Sequence, residues 1–490
     1  MGVKFKRDEA EKAEQKYKLI EDAIDGEIAI KRFYNQTRYL PIPSSCANAS
    51  QTDPQYVSYL TRAVYYNVTQ PTRDALVGQL FLRAPVVELP TEMELMVNDI
   101  NGEGLNLAQL IRKAANYVLP YGRGGLLADF PTTEGSVTLD QLESGEIRPT
   151  IKFYEPWSIR NWRVRKVGKF QKLILVVLDE AFEKESQDEF ETKTEIRQRV
   201  YKLINNEVTV SVYEDEKLTS GPIKVLDSTG TPLTEIPFRF IGSENNDSDV
   251  DEPPFYGLAS LNLGHYRNSA DYEESCFLLG QPTLAMSGLT QDWVENNFKD
   301  GITLGARGSI PMPEGGKAEL LQCQPNTLAF EAMQHKEEQM IAIGAKILRP
   351  NSQVEKKQAE IEIEAASQRS VLMTIKTNLE LALLASLKVC AGFVGADPDS
   401  IKLELNDNFD LQSMAPEQLR FLIELYKENM IAFVEIRATL IRSGIATLPV
   451  DEVKSELVAD KTMKDSLVSE LDKQKAMKPA TPVGKKPSTK

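Results

Sequence analysis

The stretch Pro253-Pro-Phe-Tyr-Gly-Leu-Ala-Ser-Leu-Asn-Leu-Gly-His-Tyr-Arg-Asn-Ser-Ala-Asp-Tyr-Glu-Glu-Ser-Cys-Phe-Leu-Leu279 opens the block, ending at Leu348, whose reading decides the fold. Its prolines can start a helix but not sit inside one, so a helix is predicted from Phe255 onward. Two stripes recur at 3/4 spacing: Leu258, Leu261, His265, Tyr272, Cys276 and Leu279, and Leu263, Tyr266, Ala270 and Phe277. Apolar residues on two faces predict neighbours on both sides. A core helix fits that description, and so does a helix wedged between its own copies in a closed ring. Glycine and proline then punctuate short strands over 281–288, 301–313 and 315–321, and a second helix resumes from Thr327 to about Leu348. The block is therefore a helix, a compact β-containing insert and a returning helix.

Downstream, Ile361, Ala365, Leu372, Ile375, Leu379, Leu383, Leu387 and Cys390 make the longest periodic run in the chain. A helix over 358–392 would span roughly 50 Å at ~1.5 Å per residue. A strand is expected at 401–405, then a helical hairpin flanking Ser443-Gly444, and after Leu471 a lysine- and proline-rich end without periodicity. Upstream, charged helices are expected over 8–35, a helix over 56–66, and another over 73–83 capped by Thr72. A short strand over 85–90 and an amphipathic helix over 105–118 follow. The glycine turn at 122–125 feeds a buried strand. From Thr150 to Ile241 the period switches to strands, read as one antiparallel sheet. Asp179–Glu195 and Ser243–Glu252 are acidic and read as solvated connections. The fold class expected is α+β.

At 490 residues the chain needs more than one packed module. No uncharged apolar run reaches the 18 or so residues of a membrane span, and the charged N-terminus is no signal peptide, so a membrane is not an expected partner. Cys46, Cys276, Cys323 and Cys390 lack any Cys-x-x-Cys, and His265 and His335 are the only histidines. No metal site or cofactor is expected from such a set. The net charge is −15, and the last 18 residues hold six lysines and no acid, so residues 1–472 sum to −21. Such a body repels DNA at long range, and contact with it must come from local positive features. The glycines at 122–125 lie between helix and strand, where a phosphate loop lies between strand and helix. Gly316-Lys317 is followed by Ala, so neither is a Walker motif.

The run Ala114–Pro131, the segment Glu155-Pro-Trp-Ser-Ile-Arg-Asn-Trp162 and residues 236–288 together resemble one family of tailed-bacteriophage structural proteins. That family was long labelled a domain of unknown function and is placed among portal, or head–tail connector, proteins. The most specific piece is Leu258-Ala-Ser-Leu-Asn-Leu-Gly-His-Tyr-Arg-Asn-Ser-Ala-Asp-Tyr272, with Gly280-Gln-Pro282 after it. The resemblance covers residues 50–400 and implies a ring, usually of twelve copies, around a DNA channel. It implies a wing at 1–252, a first stem helix at 253–280, a clip at 281–325 and a second stem helix at 326–347. A tunnel loop at 348–357, a long wing helix at 358–393, a returning wing strand at 394–412 and a helical crown at 413–476 would follow, with a disordered basic tail at 477–490. Leu258, Leu261, Tyr266, Tyr272 and Phe277 would make subunit contacts in the stem. Trp293, Phe298 and Arg307 would dock partners at the clip.

The expected partners are further copies of the chain, double-stranded DNA bound without sequence preference, a terminase motor, a head–tail adaptor and the major capsid protein. The expected location is the host cytoplasm during assembly and then the portal vertex of the virion. Around the tunnel loop, Lys346, Arg349, Lys356 and Lys357 against Glu355 leave +3 per chain, with Asn351 and Gln353 as polar neighbours. Twelve copies would carry about +36, screened beyond about 8 Å. Such a collar touches phosphates without reading bases. The rival readings are a capsid scaffold or adaptor without a channel, and a hydrolase using Asp129, Glu155 or Asp271.

Overall fold

The computed structural model describes residues 2–44, 46, 50–130, 148–184, 190–279, 283–297, 312–321, 327–343, 358–406 and 434. The chain divides into Met1–Asp407 and Asn408–Lys490. The second unit, with the expected crown and tail, lies outside the described residues except for Val434. The tunnel loop lies outside them as well.

Helix α1 (Asp8–Asp25) buries Ala10, Ala13, Tyr17, Ile20, Ala23 and Ile24, a 3/4 stripe. It ends at Gly26, whose φ of +83° is a conformation that glycine adopts without strain. Short helices α2 (Glu27–Ile30) and α3 (Gln36–Tyr39) follow. Helix α4 (Pro54–Arg62) has Pro54 in its first turn, and the Asp53 carboxylate accepts from Gln55 N. Helix α5 (Thr69–Leu80) starts four residues before the expected Arg73. Thr72 is not its cap: its hydroxyl donates to Val68 O inside the first turn. The cap comes from a residue distant in sequence, described below. Strand β1 (Val86–Glu88), helix α6 (Leu95–Asn98) and helix α7 (Leu107–Tyr121) come next. Asn106 and Gln109 close a capping box on α7, and Gly122 at φ +71° turns the chain into the strand that follows.

The strands form two main sheets instead of the single one expected. One is β3-β2-β9, from β2 (Arg123–Asp129), β3 (Thr150–Tyr154) and β9 (Phe238–Gly242). The other is a meander of β4 (Ile159–Val167), β5 (Phe170–Lys184), β6 (Lys193–Ile204), β7 (Glu207–Glu214) and β8 (Lys217–Lys224). Its edge strands β4 and β8 were not foreseen, because edges rich in Arg and Lys lack a clean apolar alternation. The acidic stretch Asp179–Glu195 is only partly a loop. Pairing runs from Asp179↔Gln198 out to Lys184↔Lys193, and on this ribbon Asp179, Glu180 and Glu195 each meet a base. Arg160 holds Asp179 at 2.7 Å and Lys184 holds Glu195 at 3.0 Å.

Helix α8 (Tyr256–Leu279) leads to strand β10 (Thr283–Ser287), helix α9 (Gln291–Asn297) and strand β11 (Lys317–Leu321), which pairs antiparallel with β10. Helix α10 (Leu328–Ile343) then returns. Helix α11 (Gln358–Val394) packs on β2, β9 and α7, burying Leu372, Ile375, Leu379, Leu383, Leu387 and Cys390. Its Val371–Val394 part is long and apolar enough to cross a membrane, yet half of its most apolar window is buried inside the chain. The hydropathy is that of a core helix. Strand β12 (Lys402–Glu404) pairs with β1, so the end of this unit is tied to its first half. The architecture is α+β.

Candidate functional site

Helices α8 and α10 form an antiparallel pair. His265 Nε2 lies 3.2 Å from Glu337 Oε1, and seven residues further along α8 the Tyr272 ring lies 5.8 Å from Phe330, seven residues earlier on α10. The approach is close at Gly264, where a Cβ would lie 3.1 Å from the far end of the Lys336 side chain. The two stripes predicted on α8 merge at its base into one broad buried face: Leu258 and Ala259, Asn262 and Leu263, His265 and Tyr266, Ser269 and Ala270.

That face is held by a polar anchor the sequence reading missed. The side chain of Asn262 is fully buried, and its Oδ1 accepts from Tyr65 OH (3.0 Å), Val68 N (3.1 Å), Thr69 N (3.3 Å) and Thr69 Oγ1 (2.9 Å). Its Nδ2 donates to Tyr66 O at 2.7 Å. Asn262 thus caps α5 from another helix, satisfying amides that a helix start leaves open. One heptad on, Ser269 Oγ accepts from Val64 N (3.1 Å) and donates to Val64 O (2.7 Å). Arg267 Nε donates to Tyr39 O, and Tyr59 OH donates to Asp271 Oδ1 at 2.7 Å. Burial first, and the Asp271 carboxylate second, hold the Tyr59 phenol well above its ordinary range. Arg62 pairs with Glu274, and its guanidinium lies 4.1 Å from the Phe277 ring centroid. The available signal was a set of polar residues at 262 and 269 in register with Leu258 on an otherwise apolar face.

Beyond this anchor the pair stands clear of the body. Phe277, Leu278, Leu328 and Phe330 are exposed, at 41%, 59%, 69% and 43%. Of the residues expected at subunit contacts, Leu258 and Tyr266 are buried by the chain itself, and Leu261 and Tyr272 are half-buried. Phe277 alone of the five is exposed. Trp293 sits half-buried on α9, whereas Phe298 and Arg307 lie outside the described residues, as do Lys346, Arg349, Asn351, Gln353, Lys356 and Lys357.

The three carboxylates of the hydrolase reading do not form a cluster of their own. Asp129 is bonded to Arg199 (2.5 Å), Glu155 has Lys113 at 3.8 Å, and Asp271 accepts from Tyr59. Asp129 belongs instead to a network that joins the two sheets. Arg199 contacts Glu180 at 2.9 Å, and Glu180 also accepts from Tyr154 (2.5 Å) and Arg197 (3.0 Å). Burial opposes charge on Glu180, but Arg199, Tyr154 and Arg197 outweigh it and hold its pKa below the ordinary value. Among the described residues no group of three or more His, Cys, Asp or Glu side chains is placed to hold a metal.

No curated protein matches the chain. In fold, it is similar to a chain from the virion of the native gene transfer agent particle, 13% identical, with a TM-score of 0.42 over 81% of this chain and 96% of that one. A chain from the neck of the empty particle, computed with C6 symmetry, gives the same values, and one from the neck of the native particle, computed with C12 symmetry, gives a TM-score of 0.41 over 79% and 93% at 13% identity. Residues 254–394, from the prolines before α8 to the end of α11, match the model of a family described as Domain of unknown function (DUF4055).

Proposed function

We propose that this chain is the subunit of a ring-shaped head–tail connector of a tailed-phage-type particle. The ring surrounds a channel through which double-stranded DNA is packaged, retained and later ejected. The observation that supports the reading most is the antiparallel pair α8–α10. It is clamped at its base by Asn262, Ser269 and Asp271, and it carries apolar side chains outward where its own chain leaves them uncovered. A helix pair that ended in solvent would be expected to shed such residues. In a ring they pack against the next copy. The family match, residues 254–394, contains this pair and runs on through α11, and the most specific piece of the portal resemblance, residues 258–272, lies within it.

In this reading β10, α9 and β11 form the clip, and Trp293 on α9, with Phe298 and Arg307, meets the terminase during packaging and the adaptor afterwards. The capsid protein surrounds the wing. The segment 346–357 supplies the positive collar, touching phosphates while the acidic remainder keeps DNA sliding. Neutralising Arg349, Lys356 and Lys357 together leaves the assembled ring intact and lowers the DNA packaged or retained per particle. Particles built on that triple variant that fill and hold DNA as the wild type does would refute the channel role of the collar.

A further inference from the structure

The hairpin of β4 and β5 is strongly basic in a chain that is acidic. Residues 156–178 hold Arg160, Arg163, Arg165, Lys166, Lys169 and Lys172 and no acid, so +6, and with the chain at −15 the remainder sums to −21. Arg160 is held by Asp179 at 2.7 Å. Lys172 shares a cleft of about 280 Å³ with Glu235 and Asp247, so neither of these two bases counts toward a free surface. Arg163, Arg165, Lys166 and Lys169 are exposed, and among the described residues no side chain is hydrogen-bonded or ion-paired with any of the four.

Strand pairing puts bases of this hairpin on the solvent side of the sheet. Residues opposite one another in register share a face, and successive residues along a strand alternate. The row Trp162–Val176–Tyr201 is buried. The next row, Arg163–Leu175–Lys202, faces the other way, and Lys202 is exposed as well. The register shift after Arg163 is taken up on β5, where Ile174 is the extra residue, so the alternation along β4 is kept. Arg165 therefore shares the face of Arg163, about 7 Å along the strand, and Lys202 lies two strands over, about 10 Å away. Arg165 sits directly across from Lys172, an opposition of like charges that an anion would relieve. Glu207, at the same end of the sheet, is already held by Lys224 at 2.7 Å.

Bases on a free edge also keep foreign strands from pairing with it. That role does not require Lys202, which stands on the interior strand β6. A row of unpaired cations suits a polyanion whose charges recur every ~3.4 Å along each strand whatever its sequence. Guanidinium and ammonium groups are donors only, and bonded to phosphate oxygens they read no base pattern. A protein partner would need a matching cluster of unpaired acids, at a cost to its own fold. We propose that the outward face of the β4–β5 hairpin, together with Lys202, binds the phosphate backbone of duplex DNA without sequence preference. The contact is separate in sequence from the collar at 346–357, and it does not depend on closure into a ring.

The test is filter binding of the full-length chain to a labelled, covalently closed duplex circle, which cannot thread a ring. Changing Arg163, Arg165, Lys166 and Lys169 to Gln raises Kd at least about tenfold at ~0.1 M salt and flattens the slope of log K against log salt by about 3–4. Arg165→Gln alone flattens it by about 1, and is the variant to read if the fourfold one melts early. Removing the same charge from exposed lysines elsewhere, with Lys12, Lys193, Lys217 and Lys388 changed to Gln, alters Kd less than about threefold. Arg163→Lys with Arg165→Lys retains binding. A fourfold Gln variant that folds and binds the circle as tightly as the wild type overturns the proposal, and so does a wild-type chain without affinity for it. Displacement of the DNA by polyglutamate as readily as by unlabelled duplex of matched charge overturns it too, and makes the face a dock for an acidic protein. None of these results bears on closure into a ring, which microscopy reads separately.

Discussion

Asn262 sets the position of α8 through five hydrogen bonds made in a site without solvent. Asn262→Ala leaves Thr69 N buried, and Val68 N and Tyr66 O part-buried, without this partner, at a cost of about 2–4 kcal/mol. A denaturation midpoint close to wild type would show that these groups find other partners. Glu180 gives a pH signature. Its folded pKa lies below the ordinary 4.5, so the stability it adds is complete above that value and is lost as pH falls through the lower folded value. Glu180→Gln removes this contribution and leaves Arg199 and Arg197 short of a carboxylate, costing on the order of 3 kcal/mol near pH 7. The difference in stability between variant and wild type then shrinks as pH drops below about 4. A difference that stays constant from pH 7 to 3 would contradict the ion-pair account.

At the scale of elements, two glycines separate crowding from mere proximity. In β2, a Cβ on Gly125 would strike the buried Phe238 ring and lie 3.2 Å from Ile159 Cδ1. Gly125→Ala therefore costs about 1–3 kcal/mol. At Gly264 in α8 the only obstacle is the far end of the flexible Lys336 side chain, at 3.1 Å. Gly264→Ala is neutral or gains up to about 1 kcal/mol of helix propensity. Equal effects on thermal stability would show that the α8–α10 approach is as tight as the sheet interior. Elements with strong periodicity were legible in the sequence: α7, α8 and α11 lie where their apolar spacing put them. The start of α5 was not, because its cap is Asn262, nearly 200 residues away. Strands β4 and β8 were hidden by basic edges that carry no apolar alternation. The two sheets are set by strand pairing and joined by the Asp129–Arg199–Glu180 network, neither of which a local pattern reveals. On α8 the stripes correctly marked a helix with neighbours, but whether a neighbour belongs to the same chain is not encoded in spacing. Leu258 and Tyr266 turned inward, and Phe277 outward.

At the scale of the whole molecule, one chain holds a helix pair that reaches past its own core, with the apolar side chains of Phe277, Leu278, Leu328 and Phe330 exposed at the far end. In the proposed ring these side chains pack against the next copy. The central claim is closure into a ring, and electron microscopy of the purified full-length protein tests it most directly. The account predicts annular top views with a central hole, about as many copies around it as the twelve implied by the family resemblance. Globular particles the size of a single 54.9 kDa chain, or irregular clusters without a hole, would contradict it.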